Sequence, residues 1–176
     1  MKPHSRAAVT VIFLIALACT LLLLMGSVMG QTGAGDSRSA QKFSSSSIQI
    51  EPPDPGDVPM PPEFRMAIYE NLITQITKTG KFQHVYRSGD KNAASASDLV
   101  TLHTTARTFN KGSQRKREVT TVTGSTSMTL NVHITDHAGQ PIVDREVKGK
   151  VRFLGENLRA TYDFSKKVAK IVQETF

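Results

Sequence analysis

The spacing of apolar residues beyond the first 47 positions changes from two to four and back, and this change predicts the order of elements. Residues 48–51 alternate apolar and polar, which is typical of a short strand. Residues 52–62 hold six prolines, which predict an extended segment that crosses to the next element without pairing. Apolar residues then recur every four positions from Phe64 to Ile76. This spacing predicts a helix that opens at the preceding proline pair and closes at Gly80.

The second half of the chain predicts several strands and a closing helix. Apolar and polar residues alternate in residues 82–86, 99–109, 119–135 and 142–153, and turn-forming residues separate these runs. Residues 156–176 return to helical spacing. The buried stripe of that helix is expected to contain Leu158, Tyr162, Ser165, Val168, Ala169, Val172 and Phe176.

One apolar and one polar face on each strand imply a sheet that is covered on one side only. The two amphipathic helices supply that cover. We therefore expect an α/β (α+β) two-layer sandwich in the order β-α-β-β-β-β-α. Its sheet should be mostly antiparallel, with about five strands, and two helices should cover one face.

The first 30 residues have the pattern of an export signal. Lys2 and Arg6 precede an uncharged, almost wholly apolar run over residues 7–25, and small residues lead to Gly30. The run is longer than a usual cleaved signal and close to a spanning helix, so a cleaved signal peptide and an uncleaved N-terminal anchor both stay open. In either case the rest of the chain is exported, which predicts a periplasmic or cell-envelope location. Only an uncleaved segment would place the protein in the membrane.

Residues 31–47 are predicted to form a disordered tether, and residues 48–176 a single domain. The residues of the tether are mostly small and polar, and Phe43 is its one large apolar residue. The apolar area that the segment could bury therefore cannot offset the entropy lost on ordering it. The sole cysteine, Cys19, lies in the leader, so the domain has neither disulfides nor cysteine-bound metal. Its stability must come from one packed core.

The exported part is mildly basic. The chain has a net charge of +7, and the leader holds two of its 22 basic residues and none of its 15 acidic ones, so +5 remains. The densest basic cluster consists of Arg107, Lys111, Arg115, Lys116 and Arg117. It is either a solvated hairpin tip or a contact for anionic lipid or polysaccharide. Because tryptophan is absent and only Phe109 lies nearby, nucleic acid is not an expected partner.

The chain carries no recognisable catalytic motif. It has no glycine-flanked serine, cysteine–histidine pair, helical metal motif or phosphate loop, so we expect neither an enzyme nor a cofactor. His103 and His133 face the polar side of neighbouring strands, but spacing alone does not set their distance, and no metal site is predicted. The polar face is a candidate ligand contact through Thr101, His103, Asn131 and His133.

Four pieces of the chain carry a family resemblance that spans residues 48–176. They are the proline pair 61–62 that opens a helix, residues 72–82 with Val85, residues 109–112 with Arg117, and residues 136–139 between two strands. Their layout resembles the exported bacterial family known as domain of unknown function 4410. It is more distantly similar to the α/β domains of the curli secretion channel and the amino-terminal domain of TolB. The resemblance implies an envelope location and a small α/β fold, and it brings no activity and no catalytic residues.

These observations favour a non-enzymatic exported module that binds another envelope protein or copies of itself. An open run of strands has edges that can pair with another chain. The alternative is a domain that binds a small ligand on its polar face, or an anionic polymer or lipid at the basic hairpin. An envelope hydrolase is the weakest of the three hypotheses.

Overall fold

The computed structural model describes residues 42–120, 124–151 and 156–176. Within these ranges the chain forms one five-stranded sheet and three α-helices. The strands are β1 (Ser47–Ile50), β2 (His84–Arg87), β3 (Leu99–Asn110), β4 (Thr126–Thr135) and β5 (Pro141–Val151). The helices are α1 (Pro62–Thr79), α2 (Gln114–Val119) and α3 (Arg159–Thr175), with a 3₁₀ turn at Ala93–Ser95.

The predicted fold class is confirmed, and the sheet has the order β2-β1-β3-β4-β5. Its pairing is mixed, because β1 lies parallel to both β2 and β3, whereas β3, β4 and β5 form an antiparallel meander. Parallel neighbours need a long crossover connection, and α1 supplies it between β1 and β2. The first strand therefore lies inside the sheet, a position that alternation alone does not reveal.

The two long helices cover one face of this sheet. The core unites one face of the strands with α1 and α3, and its fully buried members include Ile48, Leu102 and Leu130. The helices also contact each other, and the side-chain amide of Asn71 in α1 donates to the hydroxyl of Thr161 in α3 at 2.9 Å. The other face of the sheet is left to polar side chains.

Helix α1 matches its predicted ends and its predicted stripe. It begins behind Pro61 with a proline at its first position, and Gly80 ends it in the left-handed conformation at φ 65°. Its buried residues are Phe64, Ile68, Leu72, Gln75 and Ile76. The four-residue repeat therefore located the face of α1 that packs on the sheet.

The buried stripe predicted for α3 was wrong at two positions. Leu158 and Tyr162 are 36% and 42% exposed. The buried residues are Ala160, Thr161, Phe164, Ser165, Val168, Ala169 and Val172. The stripe is centred on Phe164, which is fully buried against the sheet, and this rotation turns Tyr162 outward, with the ammonium of Lys166 5.8 Å from its ring centre.

The proline-rich segment does not cross unpaired as predicted. Asp54, which lies between prolines but keeps its own N–H, donates to the carbonyl of Thr104 at 2.9 Å and accepts from the N–H of Ala106 at 2.8 Å. The N–H of Glu51 likewise donates to the carbonyl of Leu102 at 3.0 Å. These bonds continue the pairing along β3 beyond the last residue of β1, and they hold Glu51 beside β3.

Residues 43–47, which the sequence assigns to the tether, contact the domain. The backbone N–H of Phe43 donates to the carbonyl of Thr175 at 2.9 Å, and the Phe43 and Phe176 rings lie 6.4 Å apart. The backbone N–H and hydroxyl of Ser46 donate to the Asp98 carboxylate at 2.5 and 2.8 Å. These hydrogen bonds hold the pKa of Asp98 below its ordinary value.

Several sequence predictions lie outside the described residues. They concern the export signal at 1–30, the tether as far as residue 41, and the last two residues, 152–153, of the predicted final strand. The strand predicted from residue 119 begins at Thr126, because Val119 closes the short helix α2. Of the helices in the described ranges, none combines the length and hydropathy needed to cross a membrane.

Candidate functional site

The uncovered face of the sheet brings together all four predicted ligand contacts. Antiparallel register places Thr101 opposite Thr135, and His103 opposite His133. Asn131 lies in the next pair on the same face, and all five side chains are half-buried. The two-residue period of β3 and β4 thus gave the correct face, since side chains of one parity share one side of a sheet.

An ionisable row crosses this face at its middle, made of Glu51, His103, His133 and Asp144. The Glu51 Oε2 lies 3.0 Å from the His103 Nδ1, and the Asp144 Oδ2 lies 3.8 Å from the His133 Nδ1. The two imidazole centres are 6.5 Å apart. Each histidine therefore has a carboxylate on its outer side and the other histidine on its inner side.

The row has a polar partner in Asn131, and within the described residues no hydroxyl is hydrogen-bonded to its histidines. The Asn131 side-chain amide donates to the Asp144 Oδ1 at 2.9 Å and holds that carboxylate in place. Nucleophilic catalysis needs a hydroxyl or thiol within hydrogen-bond reach of the base. Among the described residues no serine or threonine hydroxyl is hydrogen-bonded to either imidazole. The arrangement can donate hydrogen bonds to polar groups and accept hydrogen bonds from them.

Sequence reasoning missed the part that Glu51 takes in this row. Its carboxylate reaches His103 because β1 lies beside β3, and no local pattern indicates that pairing. In the described part of the chain, no group of three or more histidine, cysteine, aspartate or glutamate side chains is placed to hold a metal ion.

The basic residues lie at the end of the sheet where β3 finishes and β4 begins. The predicted hairpin tip is the short helix α2, and the Ser113 hydroxyl caps it by accepting from the Lys116 N–H at 3.4 Å. Gly112 lets the segment after β3 approach the segment before β4 closely. A Cβ at this position would lie 2.5 Å from the Ser125 carbonyl oxygen, and the φ of Gly112 is +63°. Asn110 stabilises the turn by accepting from the Gly112 N–H at 2.9 Å.

The structure brings some of the predicted basic contacts together and separates others. A cavity of about 480 Å³ is lined by Asn110, Lys111, Gly112, Ser113, Lys116, Gly124 and Ser125. A second cavity of about 550 Å³ is lined by Ser113, Arg115, Lys116, Val119 and Thr120. Arg107 lines neither cavity and sits at a break in the β3–β4 register. The side chain of Arg117 lies outside the described part of the structure.

The two edges of the sheet differ in length and in cover. At β5, the Lys150 N–H donates to the Asp163 carboxylate at 3.0 Å, and the Lys167 ammonium donates to the Lys148 carbonyl at 2.8 Å. Backbone groups alternate sides along an antiparallel strand, so the N–H and the carbonyl of Glu146 point to the same outer side as those of Lys148 and Lys150. Within the described residues no hydrogen bond satisfies the N–H or the carbonyl of Glu146. The opposite edge, β2, is four residues long.

A surface ion pair lies beside that second edge. Arg87 at the end of β2 contacts both carboxylate oxygens of Glu70 in α1 at 2.6 Å. The hydrogen bonds from Arg87 lower the pKa of Glu70 and raise that of Arg87. Both side chains are about half exposed, so the pair joins α1 to the sheet without forming an enclosed site.

Comparison with known proteins identifies the fold and leaves the family open. No family model matches the chain, and no curated protein is similar in sequence. A variant of PelC from Paraburkholderia phytofirmans, solved as a dodecamer, matches 77% of this chain and 93% of its own with a TM-score of 0.55 and 8% identity. A second PelC dodecamer from that organism matches 77% and 92% with a TM-score of 0.54 and 8% identity.

A third solved structure has a more distant likeness. Protein XCC0632 from Xanthomonas campestris, of family DUF330, matches 74% of this chain and 84% of its own with a TM-score of 0.46 and 12% identity. The resemblance to domain of unknown function 4410 is not shown, since no family model matches the chain. With TM-scores above 0.5, the PelC structures show that the fold is shared; at 8% identity they show nothing further.

Proposed function

We propose that this protein is an exported, non-enzymatic domain of the cell envelope that assembles with copies of itself. The export signal predicted from the sequence of residues 1–30 supports the location. The observation that carries the proposal is the fold shared over 77% of the chain with PelC, a protein solved as a dodecamer. The absence of a catalytic motif from the sequence agrees with an assembly role.

The sheet edges supply a route to such an assembly. Rings form when two different surfaces of one subunit meet head to tail. Strands β2 and β5 lie at opposite edges of the sheet, so one edge of each copy can pair with the other edge of the next. Because Asp163 and Lys167 cover β5 at Lys148 and Lys150, pairing would occupy its first half, up to Glu146.

The first test is crosslinking in intact cells, followed by recovery of the tagged full-length protein from the envelope and mass analysis of the products. We expect a ladder of homo-oligomers that ends at one ring size. Light scattering of the purified protein over a hundredfold concentration range should give the same size. A monomer in both measurements would reject self-assembly, and a crosslink to one different protein would replace self-assembly with a heteromeric complex.

A proline at position 146 tests the edge itself. Proline lacks the backbone donor and is tolerated on edge strands where that donor faces outward, so Glu146→Pro should block pairing without breaking the β4–β5 ladder. Glu146→Ala is the matched control, because it removes the same side chain and keeps the N–H. Loss of the oligomer in the proline variant alone supports edge pairing, whereas equal oligomers in both variants would show that another surface assembles the protein.

The ionisable row favours a second candidate function, the binding of a small polar ligand on the open face. Two imidazoles and two carboxylates there can donate and accept hydrogen bonds. The test is thermal unfolding of the purified protein against a panel of sugars, amino acids and nucleotides, since a ligand of the folded state raises Tm. The shift should vanish in His103→Ala and persist in His137→Ala, which changes a histidine in the β4–β5 loop. No shift with any compound, or the same shift in both variants, would count against this function.

A further inference from the structure

We propose that the two cavities beside α2 form one binding site for an anionic amphiphile, a small molecule with a phosphate or carboxylate group next to an apolar part. The first, polar cavity would hold the anion, and the second would hold the apolar part. Ser113 and Lys116 line both cavities, so one molecule can occupy the two together. The inference does not depend on the assembly proposed above.

The polar cavity offers hydrogen-bond donors and no negative charge. The described residues of its lining include two lysines and no aspartate or glutamate. The Ser113 hydroxyl oxygen and the Asn110 amide oxygen accept from backbone N–H groups, at 3.4 and 2.9 Å, which leaves the hydroxyl hydrogen and the amide NH₂ to donate. Lysine ammonium groups and neutral donors together are suited to a phosphate or a carboxylate.

The cationic groups here are not neutralised by neighbouring acids. Within the described residues neither Arg115 nor Lys116 has a carboxylate within salt-bridge distance. Lys111 has one, at 3.7 Å from the Glu63 Oε1, and both side chains are more than half exposed. An exposed pair at that distance contributes little, so Lys111 can turn to an anion in the cavity at small cost.

The second cavity adds an apolar surface beside the cations. Val119 is 79% exposed, the largest exposed fraction among the large hydrophobic residues of the described chain, and it lines this cavity together with Arg115 and Lys116. An exposed valine next to unpaired cations selects for a ligand that covers apolar surface and carries negative charge.

Backbone contacts hold the walls of the polar cavity in place. The Ser113 N–H donates to the Gly124 carbonyl at 2.9 Å, and the Thr126 hydroxyl donates to the Lys111 carbonyl at 2.7 Å. Together with the close approach of Gly112 to Ser125, these bonds join the segment after β3 to the start of β4. A preformed site loses less conformational entropy when a ligand binds.

Isothermal titration of the purified full-length protein tests the proposal with three probes: hexyl phosphate, inorganic phosphate and hexanol. We expect hexyl phosphate to bind at least about tenfold more tightly than either fragment, and less tightly as salt rises. Hexanoate, titrated as a fourth probe, shows whether a carboxylate or a phosphate is the preferred anion. Equal binding of inorganic phosphate and hexyl phosphate would overturn the combined site, and equal binding of hexanol would overturn the anionic part.

Variants then locate the site. Lys111→Ala with Lys116→Ala should weaken hexyl phosphate binding about tenfold or more, while Lys91→Ala, which removes one lysine from an exposed loop, should leave it unchanged. Val119→Ser should weaken hexyl phosphate several-fold and leave inorganic phosphate unchanged. Thermal midpoints confirm that each variant folds, and wild-type amide NMR shifts in residues 110–120 on titration supply a readout without substitution. Unchanged affinity in the double lysine variant, or shifts confined to other residues, would overturn the proposal.

Discussion

Gly149 marks a close approach of β5 to α3, and a methyl group added there has no room. A Cβ at this position would lie 2.4 Å from the Ala160 carbonyl oxygen and 2.7 Å from the Phe164 Cβ. On the sheet side it would lie 3.3 Å from the Cγ of Met128, its register partner in β4. The two closest atoms belong to the helix backbone or adjoin it, so no flexible side-chain end can move aside.

The expected loss in the free energy of unfolding follows from how far α3 must move to accept the methyl group of Gly149→Ala. Ordinary contact for a Cβ begins at 3.4 Å, so α3 must withdraw from β5 by about 1 Å near its first turn, which forfeits up to half of the local dispersion energy. Overpacking of this kind costs about 1–3 kcal/mol, and we take the upper value because the contacts are rigid. Alanine also lowers the conformational entropy of the unfolded chain, which offsets about 0.4–1 kcal/mol of this loss. The expected net loss in the free energy of unfolding is about 2 kcal/mol.

Urea unfolding followed by circular dichroism measures this loss of free energy. In a separate thermal scan, Tm should fall by about 6–10 °C for a domain of this size. Glu146→Ala, an exposed change on the same strand, is the control and should alter the free energy of unfolding by less than about 0.5 kcal/mol. If Gly149→Ala unfolds at the wild-type midpoint with an unchanged urea slope, the packing of α3 against β5 described above is incorrect.

Three further changes test other parts of the fold. Phe64→Ala removes a ring that is 1% exposed and 4.8 Å from the Phe109 ring, and should lower the free energy of unfolding by about 3–5 kcal/mol in urea; a loss below about 1 kcal/mol would contradict the assigned core. Thr161→Val leaves the Asn71 amide without its acceptor between the helices and should cost about 1–2 kcal/mol in the same assay, and no loss would show that water replaces the bond. The lowered pKa of Asp98 means that its carboxylate stabilises the fold above its unfolded pKa of about 3.9 and that this contribution disappears as pH falls through the folded value. Asp98→Asn should therefore be less stable than wild type at pH 6–7 and equal to it in acid, and a gap between their urea midpoints that stays constant from pH 7 to 3 would contradict the assignment.

Local periodicity predicted much of this fold because it reports which side of an element is buried. The four-residue repeat of α1 identified the stripe from Phe64 to Ile76, and the alternation in β3 and β4 placed His103 and His133 on the open face. These features depend on a single helix or a single strand pair. They are therefore visible in a short window of sequence.

Features that depend on distant pairing were not predictable in the same way. The position of β1 between β2 and β3 follows from crossovers of more than 30 residues, and only that position brings Glu51 to His103. In α3, Tyr162 and Phe164 fit the helical period almost equally well, and close packing at Gly149 decides in favour of Phe164. The cavity beside α2 requires Lys111, Lys116 and Gly124 to converge from separate elements.

The central position of β1 has a consequence for the order in which the molecule folds. Its two partners begin at His84 and Leu99, which follow Ile50 by 84 − 50 = 34 and 99 − 50 = 49 residues, so the first strand of the described chain is synthesised well before either neighbour. Loops of that length are closed slowly, and contacts far apart in sequence move folding toward the millisecond-to-second range. A chain that emerges N-terminus first thus exposes Ile48 and Ile50, which are fully buried in the folded domain, until β2 and β3 have followed, and this segment is open to aggregation during that interval.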